Sequence, residues 1–157
     1  MEDLHLERLS EAVRLAAENV AAGGGPFGCV IYRGDGRIAA TANTVTATLD
    51  PTAHAEVNAI REACTRLGTW DLSGCVVYAS SEPCPMCLAA IYWARAEAVY
   101  FANPKETAAR FGFDDAFIYR QIALPPQERS LMFAQFRVDG QERPFELWKH
   151  NPDKTAY

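Results

Sequence analysis

Apolar positions change their period several times along the chain, and each change marks an element. Leu9, Val13, Ala16 and Val20 recur at helical spacing, which predicts a helix over residues 2–22 with one apolar stripe. Gly23-Gly24-Gly25-Pro26 ends it. Residues 27–33 (FGCVIYR) read as a buried strand, Gly34-Asp35-Gly36 as a hairpin turn, and residues 37–41 as the returning strand. Asn43-Thr44-Val45-Thr46 is a polar loop. Asn43 suits a turn residue that bonds its own backbone, and its place at a strand end also makes it a candidate substrate contact. Helical spacing returns over residues 53–67 with Val57, Ile60, Cys64 and Leu67, and Gly68 suits the C-terminal cap. Residues 75–79 (CVVYA) and 98–102 (AVYFA) are nearly continuous apolar strands, as expected where both sheet faces are covered, and a helix over 84–94 joins them. The alternation predicts an α/β fold, a three-layer α/β/α sandwich around a central mixed sheet. Two neighbouring helices then start side by side at the strand ends.

The rest of the chain is patterned more weakly. Phe111-Gly112-Phe113-Asp114-Asp115 reads as a loop before a short helix over 115–122, with Asp114 suited to the N-cap. Pro125-Pro126 breaks the chain, residues 129–138 are expected to hold a last short strand, and residues 145–150 form a short amphipathic helix before a polar tail, 151–157. With no repeat, low-complexity stretch or long linker, one domain over 1–157 is expected.

Composition narrows the class. A chain of 157 residues that is 49% hydrophobic can bury a sizeable core. It has no apolar run of membrane-spanning length, and its N-terminus does not read as a signal peptide. Five cysteines without a secretion signal point to the cytoplasm rather than to a disulfide framework. Cys29, Cys64 and Cys75 sit among apolar neighbours and are expected in the core. The net charge of −5, with Lys and Arg scattered, argues against a nucleic-acid partner.

The chemistry gathers in two stretches. In Ser81-Glu82-Pro83-Cys84-Pro85-Met86-Cys87, the cysteines at i, i+3 share one face of a first helical turn. Prolines suit that turn, and its partial positive charge favours thiolates, so the pair makes half of a zinc site. In Asp50-Pro51-Thr52-Ala53-His54-Ala55-Glu56, His54 can supply the third ligand. Glu56 leaves the helix about 200° round from His54, off the metal, where it can carry protons. Three protein ligands leave one position for water, the mark of a catalytic zinc site, and zinc lowers the pKa of that water to about 7. A Cys-x-x-Cys alone could be a redox pair and a His-x-Glu alone an ordinary helix start. Together, in this order, they match the signature of the zinc nucleobase deaminases.

Over nearly its whole length the sequence resembles the bacterial guanine deaminases of the cytidine-deaminase-like fold. The resemblance is carried by residues 50–57, by Glu82-Pro83-Cys84-Pro85-Met86-Cys87-Leu88, by Ala90-Ile91-Tyr92-Trp93-Ala94-Arg95 and by Gly112-Phe113-Asp114-Asp115-Ala116-Phe117-Ile118-Tyr119. It implies Zn2+, one per chain, on His54, Cys84 and Cys87, with Glu56 as proton shuttle. It implies that Asn43 and Asp115 bond the purine and that Phe27 and Trp93 wall the pocket. Ala55 and Asp114 complete the candidate contacts, and Glu146 is an acid to watch. It further implies a homodimer with exchanged C-terminal segments, from about residue 125, in which Tyr157 reaches the partner's site. The activity implied is deamination of guanine to xanthine. Guanosine, an aminotriazine or cytosine as substrate, a tRNA adenosine deaminase, and a non-catalytic zinc module remain as rivals; the intact Glu56 weighs against the last.

Overall fold

The computed structural model describes residues 2–157, which form two compact units, the first extending to Asp115 and the second comprising Ala116–Tyr157. In the first, helix α1 (Glu2–Ala21) leads into the hairpin β1 (Gly28–Arg33) and β2 (Gly36–Ala42). Arg33 lies opposite Gly36, so Gly34, at φ 57°, and Asp35 make the turn that the sequence predicts. Strand β3 (Cys75–Ser81) pairs antiparallel with β1, and β4 (Ala98–Asn103) pairs parallel with β3, giving the order β2-β1-β3-β4. Helices α2 (Val45–Thr48) and α3 (Ala55–Leu67) join β2 to β3. Helix α4 (Pro85–Trp93) is the crossover that a parallel pair requires.

The sheet is covered on both faces, as expected. On one, Val30 and Tyr78 are buried against Ala12 of α1. On the other, Cys29, Ile31, Ala39, Cys75 and Val77 pack against Ala55, Ala59 and Ala63 of α3 and against Ile91 and Ala94. The expected cores at Cys29 and Cys75 are fully buried, and Cys64 packs partly buried beside them.

The buried stripes of α1 and α3 differ from those expected. On α1 the buried residues are Arg8, Ala12 and Ala16, while Val13 and Val20 are exposed. On α3 they are Ala55, Glu56, Ala59 and Ala63, with Ile60, Cys64 and Leu67 on the flanks. For α1 the cause is the short distance between helix and sheet. A Cβ on Gly28 would lie 2.3 Å from the Ala12 carbonyl oxygen, so only small side chains fit beneath the axis and larger ones spread sideways. Arg8 is tolerated because its guanidinium lies 4.1 Å from the Tyr32 ring centroid and donates to the Gly34 carbonyl (2.9 Å) and the Tyr78 hydroxyl (3.3 Å).

Two short helices were not foreseen: α2 begins inside the expected polar loop, and α5 (Lys105–Arg110) follows β4. The second unit contains α6 (Ala116–Ala123), a 3₁₀ turn (Pro126–Glu128) and α7 (Arg143–His150). Residues 129–138 form no strand. Residues 132–138 run without turn or bend, but a strand also needs a neighbour for its N–H and C=O ladder, and its own unit offers none. No residue of this unit is buried, and Met132, Phe133, Phe136, Val138, Phe145 and Trp148 are exposed. No helix among the described residues is long and apolar enough to cross a membrane.

Candidate active site

Helices α3 and α4 lie on the same face of the sheet, and each presents its first turn at the ends of the strands. His54 is the N-cap of α3, with extended backbone and no side-chain capping bond, so its imidazole is not spent on the helix. The loop before it is braced by Asp50, whose Oδ1 accepts from the Thr52 N–H (2.8 Å) and hydroxyl (2.6 Å). Asn58 donates from Nδ2 to the Ala42 carbonyl (3.0 Å) and the Thr44 hydroxyl (3.0 Å), tying this loop to the end of β2. Cys84 is the N-cap of α4, Pro85 follows in the first turn, and the Cys87 N–H donates to the Cys84 sulfur (3.5 Å). The positions chosen by prolines and helical spacing are the ones found.

His54 Nδ1 lies 3.6 Å from Cys84 Sγ and 3.5 Å from Cys87 Sγ, and all three atoms fall within 4.8 Å of one another. A tetrahedral zinc, with bonds of about 2.0–2.1 Å to nitrogen and about 2.3 Å to sulfur, has S···N edges of about 3.6 Å. The donor set and its spacing fit zinc. The two thiols are pushed in opposite directions. Cys84 is brought down to about 4, first by the hydrogen bond from Cys87 and then by His54, against the cost of burial. Cys87 is pushed up by its hydrogen bond to Cys84 and by burial. A divalent cation bound here would hold both sulfurs as thiolates.

Glu56 stands in the first turn of α3 and is only 7% exposed. Burial pushes its carboxyl above the ordinary range, and the Cys84 charge adds to this, while its own backbone N–H, Cys87 and His54 oppose it. The carboxylate is thereby more basic than an ordinary glutamate.

These groups open onto a cavity of 380 Å³. Of the candidate residues, Phe27, Asn43, His54, Glu56, Cys84 and Asp115 line it. Asn43 is the turn residue its position suggests, with its Oδ1 accepting from the Val45 N–H (3.2 Å), and it also lines the cavity. That turn leaves the amide NH₂ as the donor it can offer. Burial pushes the Asp115 carboxyl up, as does the Cys84 charge, with His54 opposing. Asp114 is exposed. Ala55 is fully buried between His54 and Glu56, with its carbonyl accepting from the Thr41 hydroxyl (2.7 Å).

Trp93 stands apart from the cavity lining. It is the last residue of α4, about 13 Å along the axis from Cys84, and is exposed beside Tyr92. In the second unit, Tyr157 meets Trp148 edge-on at 6.3 Å, and Glu146 is exposed on α7. Sequence reasoning missed several wall residues: Gly23, Gly24 and Gly25, Val45, Thr46, Glu82 and Phe113. The glycines read only as a helix stop. Phe113 lies in a stretch that carries the resemblance, but its role appears only in space, where it meets Phe27 edge-to-face at 4.9 Å.

The pattern of the cytidine and deoxycytidylate deaminase zinc-binding region matches residues 3–103. The guanine deaminase of Bacillus subtilis (strain 168) is 50% identical over 154 residues, covering 98% of this chain and 99% of that protein. The X-ray structure of guanine deaminase from Bacillus subtilis superposes with a TM-score of 0.95 over 98% of each chain. The tRNA-specific adenosine deaminase of Aquifex aeolicus is 43% identical over 94 residues, 60% of this chain and 62% of that one. The chain therefore belongs to the cytidine and deoxycytidylate deaminase zinc-binding family, and its α/β/α sandwich is the cytidine-deaminase-like fold.

Proposed function

We propose that this protein is a zinc-dependent guanine deaminase that hydrolyses guanine to xanthine and ammonia. The observation that carries the reading is similarity to a guanine deaminase across 98% of the chain, whereas the tRNA-specific adenosine deaminase matches 60% of it. The donor set of His54, Cys84 and Cys87 beside a buried Glu56 supports the chemistry. Zinc held by the three supplies Lewis acidity and an activated water near neutral pH. Glu56 takes one proton of the attacking water and passes it to the purine ring nitrogen. It then takes the remaining hydroxyl proton of the tetrahedral C2 adduct and delivers it to the amine as the C2–N bond breaks. Water's oxygen stays on C2 of the purine, and ammonia leaves.

Recognition falls to the walls. Guanine offers donors at N1 and the 2-amino group, which suit Asp115, and acceptors at O6 and N7, which suit the Asn43 NH₂. Phe27 and Phe113, packed edge-to-face, give the flat ring an apolar wall. A panel of guanine, guanosine, adenine, cytosine and cytidine, read by ammonia release, tests the reading: guanine should lead, and turnover of another base with guanine inert would overturn it. Asp115→Asn should lower guanine turnover while leaving zinc in place. Damage from Asp114→Asn with Asp115→Asn unaffected would move the role to Asp114.

The protein acts as a homodimer with exchanged C-terminal segments, in which Tyr157 closes the partner's site. Support comes from the second unit, which buries none of its apolar side chains and runs without turn or bend over residues 132–138, and from β4, an edge strand with Phe101 partly exposed. Removing the last five residues should leave zinc and dimerisation intact and cut deamination steeply. Mixing such chains with Glu56→Gln chains should restore one good site per mixed dimer. No recovery in demonstrably mixed dimers would refute the exchange. The five free cysteines support a reducing, cytoplasmic setting.

A further inference from the structure

We propose that Asn19 is a positioning residue for substrate binding: it clamps the glycine run to the end of β2 and so holds Asn43 at the cavity wall. The proposal rests on the reading of this cavity as the purine site. Asn19 is half-buried, less than one turn from the end of α1. Its Nδ2 donates to two carbonyls from separate parts of the chain, that of Gly25 (2.8 Å) and that of Asn43 (2.8 Å). Both hydrogens of the NH₂ are thereby used. The Asn19 carbonyl in turn accepts from the Gly24 N–H (2.8 Å), so the residue grips the glycine run from both sides.

Asn43 is held at every other polar backbone and side-chain point except the one it needs. Its N–H donates to the Phe27 carbonyl (3.0 Å), its carbonyl receives the Asn19 amide, and its Oδ1 receives the Val45 N–H (3.2 Å). The side-chain NH₂ is left for the cavity. The space around the clamp is tight. A Cβ on Gly24 would lie 2.4 Å from Asn19 Nδ2, and one on Gly25 would lie 3.1 Å from Asn43 Oδ1. The glycines give the clearance that lets one amide reach both carbonyls.

Kinetics on the zinc-loaded full chain with guanine test the clamp. Asn43 contacts substrate in ground and transition states alike, so its loosening weakens uniform binding. Asn19→Ala should raise KM about tenfold with kcat changed by less than about twofold and zinc content unchanged. Asn19→Asp keeps the shape but turns a carboxylate toward two carbonyls, and should raise KM further. Gly24→Ala places a methyl where the amide sits and should reproduce the Asn19→Ala effect. Combining the two should do no more harm than either alone, because the methyl then meets no amide. The clamp is overturned if KM of Asn19→Ala stays at the wild-type value, if only kcat and thermal stability fall, or if the two substitutions add in full. A wild-type protein inert on guanine would instead sink the substrate reading, so the two failures are distinguishable.

Discussion

Glu56→Gln should keep its zinc and its fold and lose nearly all deamination. The substitution preserves shape and removes only the ability to exchange a proton. Glu56 is 7% exposed and its carboxyl is pushed up mainly by burial, so a neutral amide there removes the desolvation cost of a charge and is structurally tolerated. General acid–base catalysis by one group is worth about 10²–10⁴-fold. In the proposed mechanism Glu56 serves the water, the ring nitrogen and the leaving amine in turn, so the loss should reach at least the upper end of that range. Steady-state turnover with metal analysis on the same sample checks it. A variant within a few-fold of wild type would remove Glu56 from the proton path.

Cys87→Ala should lose zinc and activity together. Cys87 is fully buried, and its sulfur makes one of the two short edges to His54 Nδ1. Without it only His54 and Cys84 remain, and two ligands do not hold a catalytic zinc. Burial of the small alanine side chain leaves the helix unharmed, so circular dichroism should be unchanged while bound metal falls well below one per chain. Stoichiometric zinc in this variant would sink the ligand assignment.

The metal cluster of His54, Cys84 and Cys87 was legible in the sequence because its chemistry restricts residue type and spacing at once. Two thiolates on one helical face demand Cys84 and Cys87 at i, i+3, and a shuttle near but off the metal demands an acid placed like Glu56. The hairpin was legible for a similar reason, since Gly34 takes the positive φ of its two-residue turn. Other features depend on distances that no local pattern encodes. The buried face of α1 carries small side chains beneath its axis because the helix approaches the sheet closely, as Gly28 records, and Val13 marked the wrong line. The cavity wall was partly hidden, because glycines 23–25 line it through their backbone, which the sequence shows only as a helix stop. Nothing in the local pattern marks Asn19, whose amide lies between two carbonyls from separate parts of the chain. Residues 129–138 have strand-like composition without a strand partner in their own unit, so pattern alone overstated them.

Zinc titrated into chelator-stripped protein, with guanine as substrate and both xanthine and ammonia followed, tests the central claim most directly. Stripped protein should be nearly inert. Activity should rise in proportion to added zinc and stop rising at about one equivalent per chain, the capacity of a single three-ligand site, with xanthine and ammonia released in equal amounts. Full activity without metal, a break far from one equivalent, or no xanthine from guanine at saturating zinc would contradict it.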